Sequence, residues 1–321
     1  MNASNSHLSW GLSHGMAGLV CSLIFLALGI KAQGADSLVW ASGPDLPSPR
    51  AESVALLAPG DAVILLGGAS SGGDTVVPKL PDGATNWSTA PALDMSRKSL
   101  GAVRYSSQGI LAIAGRNGNQ PTDEVLFYDY SLGDSQDAGQ MNDVRQQFAF
   151  AADSAGRVYA IGGLGESGTR LSSAERYVPS LDEWAEIEPL PTALYGATAV
   201  GVGGTYIYVF GGATANGVQA TSYRYVIASD SWETIAPMPV AVRNGVAVRN
   251  EDVVYVTGGV GASGAVATVQ VFDLITGLWT PTFLPPDTRT VRCSPLRGKS
   301  SSQGVTMPPV PRRPRSTRHS S

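Results

Sequence analysis

Arginine is the residue whose type and spacing could do the most chemistry in this 321-residue chain. Arg50, Arg97 and Arg145 recur at intervals of 47 and 48 residues, Arg243 falls one place off the same period, and Arg289 continues it. A planar guanidinium offers paired donors that match a carboxylate or sulfate, so several brought to one mouth would bind an anion. Leu194-Tyr195 stands where the series skips a member, which would give such a ring an apolar or aromatic notch. The competing reading makes each arginine a repeat signature, bonded to a local carboxylate or carbonyl.

Other reactive constellations are thin. The three histidines are His7, His14 and His319, all far from the middle of the chain, so imidazole metal sites and a Ser-His-Asp triad are excluded there. Cys21 and Cys293 lack partners at metal-ligand spacing and form no disulfide framework. Gly68-Ala69-Ser70-Ser71-Gly72 spells a nucleophile elbow but has no histidine to serve it. Gly163-x-Gly165-x-x-Gly168 and Gly259-x-Gly261-x-x-Gly264 match a dinucleotide fingerprint, yet a strand rather than a helix follows each. No calcium-loop run of alternating aspartates occurs, and Asp134, Asp137, Asp182 and Glu183 read as turn residues. The expectation is a protein without cofactor or metal.

The elements that would position the arginines are strands. With 38 Gly, 21 Pro and only 15% charged residues, short apolar runs are closed repeatedly by turn formers, which argues for an all-β protein. Those runs repeat. Gly67-Gly68, Gly162-Gly163, Gly211-Gly212 and Gly258-Gly259 close four of them, and Ala114-Gly115 supplies the missing member, with successive spacings of 47, 48, 49 and 47. Trp40, Trp87, Trp184, Trp232 and Trp279 keep the same period, with Ser135 at the skipped place. Seven residues before the tryptophan position stand Tyr128, Tyr177, Tyr225 and Phe272, and an apolar-Pro pair follows it at Leu46-Pro47, Leu190-Pro191, Met238-Pro239 and Leu284-Pro285. The arginine comes ten residues after the tryptophan position.

This order resembles the kelch repeat from residue 38 to 289. The resemblance implies a β-propeller whose blades are four-stranded antiparallel sheets sharing one core around a channel. Five complete units fit between Arg50 and Trp279, and Trp40 belongs to an orphan outer strand. In kelch propellers such a strand commonly closes the ring with strands from the opposite terminus, which would make six blades. The sequence after Arg289 has the length for this but is a basic Pro, Ser and Arg-rich tail without the pattern. A degenerate sixth blade, a disordered tail beside five blades and a tail altered by a frame or splice change are the three readings, the last favoured by the abrupt change in composition.

The ends bear on compartment and partners. Residues 16–30 are uncharged and apolar, too short for a usual membrane crossing, and Ala32-Gln33-Gly34 follows. Residues 1–34 are therefore expected to be a signal peptide, with an uncleaved anchor as the alternative, so the protein is secreted or at the cell surface. Asn86-Trp87-Ser88 is a glycosylation sequon. Residues 36–287 carry 26 acids against 13 bases, and residues 288–321 carry eight bases and no acid. An acidic body is a poor grip for nucleic acid, and none is expected as a partner.

A propeller fold decides nothing about activity. The expected function is an exported binding module that takes a protein or glycan, anionic ligands included, on its loop face without catalysis. Arg50, Arg97, Arg145, Tyr195 and Arg243 are its candidate ligand residues. The alternatives are an enzyme acting on an acidic sugar, similar to kelch-type sialic acid epimerases, with Arg97, Arg145 and Glu52 as nominees, and an inert structural surface module.

Overall fold

Val63–Leu66, Gly109–Ile113, Val158–Ile161, Tyr206–Phe210 and Val253–Thr257 are short runs dominated by branched and aromatic residues, the composition of strands covered on both faces. Each is the second strand of a four-stranded antiparallel sheet. The computed structural model describes residues 44–283, apart from 59–60, 71–74, 95, 107–108, 131–132 and 179–180. The expected signal segment, Trp40, Arg289 and the tail 290–321 lie outside the described residues.

Blade 1 comprises Val54–Leu57, Val63–Leu66, Val77–Leu80 and Ser88–Ala90. Blade 2 comprises Gly101–Arg104, Gly109–Ile113, Glu124–Asp129 and Asp134–Gln140. Ala149–Ala152, Val158–Ile161, Ala174–Val178 and Glu183–Ile187 form blade 3. Thr198–Val202, Tyr206–Phe210, Ser222–Val226 and Ser231–Ile235 form blade 4, and Val246–Asn250, Val253–Thr257, Thr268–Asp273 and Leu278–Phe283 form blade 5. The strands pair in chain order within every blade, so this is an all-β propeller of five described blades.

The core lies between blades. Ile64, Leu66 and Val77 meet Ala102, Ile110 and Tyr128 between blades 1 and 2. Leu111, Ile113 and Val125 meet Phe148, Val158 and Tyr177 in the next gap. Tyr159 and Ile161 pack on Ile207, Val209 and Tyr225, and Tyr208 and Phe210 pack on Val254, Val256 and Phe272. A blade on its own would leave these faces in water, which is why the units are stable only as neighbours.

The aromatic signature sits on the outer strand pair. Tyr177, Tyr225 and Phe272 stand directly across the ladder from Trp184, Trp232 and Trp279, and Tyr128 stands across from Ser135. The three aromatic pairs share one geometry, with centroids 5.6, 5.0 and 4.9 Å apart and ring planes tilted by 44°, 43° and 46°. The indole N–H of Trp87, Trp232 and Trp279 donates to the carbonyls of Pro44, Glu188 and Ala236, each in the stretch that closes the preceding unit. Tyr177 and Tyr225 donate their hydroxyls to Asp182 at 2.7 Å and Asp230 at 2.6 Å. Burial, followed by the aspartate in each case, raises both phenols above their ordinary pKa.

Candidate functional site

The residues just before each inner strand build the loop-face mouth of the channel, and they fall into three adjacent columns. The column ten residues after the tryptophan position holds Arg50, Arg97, Arg145, Leu194 and Val242, which are 6%, 1%, 0%, 2% and 3% exposed. All five point into the fold. The guanidinium of Arg50 donates to the carbonyl of Gly67 at 2.5 Å, that of Arg97 to Ala114 at 3.1 Å and that of Arg145 to Gly162 at 2.9 Å. Each acceptor lies 17 residues on, at the first position of the glycine doublet. Arg97 also reaches the carbonyl and carboxylate of Glu124, at 2.7 and 2.9 Å. Arg145 bonds the Ser173 carbonyl, Asp143 and the fully buried Glu175, the last at 2.5 Å. Burial lowers the Arg97 pKa against the opposing pull of Glu124, yet a guanidinium stays a cation.

The glycine doublet is the other half of this joint. The amide of Gly68, Gly115, Gly163 and Gly212 donates to the carbonyl of Arg97, Arg145, Leu194 and Val242, always one blade on. Gly162 shows why the first place favours glycine: its φ is +61°, and a Cβ there would come within 2.5 Å of the Leu194 carbonyl oxygen. Arg97 and Arg145 therefore clamp their own blade by side chain and the preceding blade by backbone, and Arg50 clamps its own blade by side chain. The structure does not gather them into a ring around the mouth.

The third column, two residues on, faces the channel. Glu52, Ser99, Gln147, Gly196 and Asn244 have φ of 60°, 51°, 49°, 64° and 55°, the left-handed region that four side-chain-bearing residues adopt only at a cost. The compensation is a backbone belt. Asn244 N–H donates to Gly196 at 2.6 Å, Gly196 to Gln147 at 2.7 Å, Gln147 to Ser99 at 3.2 Å and Ser99 to Glu52 at 3.0 Å. All five residues line the central cavity, of about 350 Å³, together with Phe148, Arg243 and the inner strands. Glu52 is bound there by the Ser99 hydroxyl at 2.6 Å and by Arg116 at 2.8 and 2.9 Å. Burial alone would raise its pKa, but those two partners outweigh it and hold the carboxyl below its ordinary value. As the nominated acid/base for a sugar enzyme, Glu52 is already engaged as an ion-pair acceptor.

Five four-stranded blades, a glycine-doublet amide bonded to the next blade's buried column in each described gap and outer aromatic–tryptophan pairs coincide with a sequence match. The family profile described as Kelch motif matches residues 154–191, which hold the last three strands of blade 3, and 195–239, which hold the whole of blade 4. This is a kelch-repeat β-propeller. Among curated proteins it is similar to Beta-scruin of Limulus polyphemus, with 45% identity over 58 residues, 18% of this chain and 6% of that protein. It is also similar to Kelch-like protein 35 of Mus musculus, with 33% identity over 106 residues, 33% of this chain and 18% of the mouse protein. An F-box/kelch-repeat protein of Arabidopsis thaliana shares 37% over 89 residues, 28% of this chain and 23% of the plant protein. The chain thus spans less than a quarter of the length of each of these relatives.

The middle column of the kelch units, one residue past the buried arginine, holds Ala51, Lys98, Gln146, Tyr195 and Arg243. Tyr195 pairs as an isolated bridge with Ala213, and Arg243 with Val260, so both belong to ribbons standing on the loop face. Arg243 is consequently not a displaced copy of the buried arginine, whose place Val242 takes. The structure brings Arg243 and Tyr195 together: the guanidinium carbon lies 5.8 Å from the ring centre. Arg170 joins them from blade 3, 5.6 Å from the same centre. Sequence reasoning missed Arg170 because the loop between Gly163 and Ala174 keeps no period. The signal that could have found it is its place in the loop that follows the Gly162-Gly163 doublet.

Proposed function

We propose that this propeller is an exported, non-catalytic interaction module that holds a protein partner on the loop face, over the mouth of the channel. The observation that supports this reading is the separation of the mouth into a fixed backbone belt and a middle column that carries a different side chain in every blade. A site of that kind varies its surface without disturbing the joints beneath it, which suits recognition. Kelch-repeat relatives point the same way at the level of protein interaction, and export rests on the apolar segment 16–30.

The test places a photo-crosslinking amino acid at Tyr195, at Gln147 and, on the opposite face, at Ser229, in the full-length chain secreted by its native cells. One protein captured from both mouth positions and not from position 229 is the expected result. Equal capture from both faces, or labelling of glycan alone, overturns it.

A further inference from the structure

Two tyrosine rings of this propeller carry arginines in different ways, and the contrast carries a ligand class. Arg224 lies 4.7 Å from the ring centre of Tyr206 and is neutralised by Glu233, whose carboxylate takes its Nε at 2.9 Å. Arg170 and Arg243 both lie on Tyr195, and among the described residues neither guanidinium has a carboxylate within ion-pairing distance. Glu166, on the same loop as Arg170, makes no ion pair with it. Two positive charges thus share one uncharged ring, in a body where acids outnumber bases by 26 to 13. Arg170 is exposed and Arg243 half-buried at the edge of the channel cavity, so both can reach a ligand.

We propose that Arg170, Tyr195 and Arg243 form a receptor for a dianionic phosphate ester, the phosphorylated side chain of the partner protein. This deepens the interaction-module reading and rests on it. A phosphate monoester carries a charge of about −1.5 to −2 near neutrality and so matches both guanidiniums at once, whereas a carboxylate or a sulfate ester neutralises one. Its three terminal oxygens accept from both guanidinium forks. With guanidinium carbons 5.6 and 5.8 Å from its centre, the ring is engaged by two cations, which favours an anion over the face of a neutral sugar. The surrounding negative charge repels an acidic segment, so affinity depends on the concentrated charge of one group.

The experiment is fluorescence anisotropy of the full chain with a degenerate peptide library centred on phosphoserine. The same library centred on serine or aspartate, and a heparin hexasaccharide, are run beside it. The phosphorylated library is expected to bind at least about tenfold more tightly than either counterpart, since each charge-assisted bond is worth about that much. Arg170→Ala and Arg243→Ala each lose about tenfold, Arg224→Ala loses nothing, and affinity falls as pH drops from 7.4 to 5 through the second phosphate ionisation, near pH ~6. Equal binding of the aspartate library, binding untouched by the two variants, preference for the hexasaccharide or no binding of the phosphorylated library overturns the proposal. If mouth-specific crosslinking persists while phosphopeptide binding fails, the interaction module stands and the phosphate receptor falls. If both fail, both fall.

Discussion

Blades 3 and 4 solve the same packing problem with opposite chemistry. In blade 3 the buried joint is the ion pair of Arg145 and Glu175, both fully buried, with Glu175 also accepting the amides of Asn142 at 2.7 Å and Asp143 at 3.1 Å. At the equivalent places in blade 4 stand Leu194 and Tyr223, which belong to one apolar cluster. The amide that Asn142 must satisfy does not exist there, because Pro191 occupies its place. Blade 5 takes a third route: Val242 replaces the arginine, and Gln270 accepts from Val240 N–H at 2.7 Å and donates to its carbonyl at 3.0 Å. The difference teaches that the recurrent arginine serves a structural joint which an apolar pair or a neutral amide can also make. Charge in that column is one way to fill the space and says nothing about ligands.

The sharpest way to break this comparison is to remove one partner. Glu175→Ala leaves the Arg145 charge buried and should cost about 3–5 kcal/mol in urea unfolding. Copying blade 4 by Arg145→Leu with Glu175→Tyr should recover most of that, leaving a deficit of about 1–2 kcal/mol from the two amides that lose their acceptor. A double variant no better than the single would mean the blades are not interchangeable at this joint.

A smaller effect is expected at the Glu52–Arg116 pair. Its folded pKa is depressed, so its contribution is present above the unfolded value, about 4.3, and is lost as pH falls through the lower folded value. Glu52→Gln should lose about 1 kcal/mol at pH 7 and show a shallower decline in stability below pH ~4 than the natural chain. An unchanged acid limb would remove Glu52 as its source. Smallest of all, Tyr195→Ala and Arg243→Ala should shift stability by less than about 0.5 kcal/mol while altering capture at the mouth. A large loss of stability would place these two with the buried column instead.

Much of the propeller is legible in the sequence because its joints use residues with few substitutes. The doublet Gly162-Gly163 needs positive φ and close backbone approach, and Tyr177 with Trp184 needs aromatic faces across one ladder, so the period survives in plain letters. The site is less legible because neighbouring residues on an extended strand point to opposite sides. Val242 and Arg243 differ by one place, and only the backbone pairing of Arg243 with Val260 tells which of them is buried. The loop position of Arg170 is legible, but its contact is not: its partner Tyr195 is 25 residues away on the next blade, and their meeting depends on the angle between blades rather than on any spacing within one.

The belt at the mouth has a polarity, since every amide in it donates to the blade before. It is made wholly of main-chain atoms, and the side chains above it are Glu, Ser, Gln, none and Asn in turn. Any two of its links are therefore chemically the same joint. Excising one unit between equivalent links, or duplicating one, presents the same donor to the same acceptor. Gain or loss of a whole unit is thus open to this architecture at the level of the gene, with the ligand surface rewritten in one step and no new seam to invent.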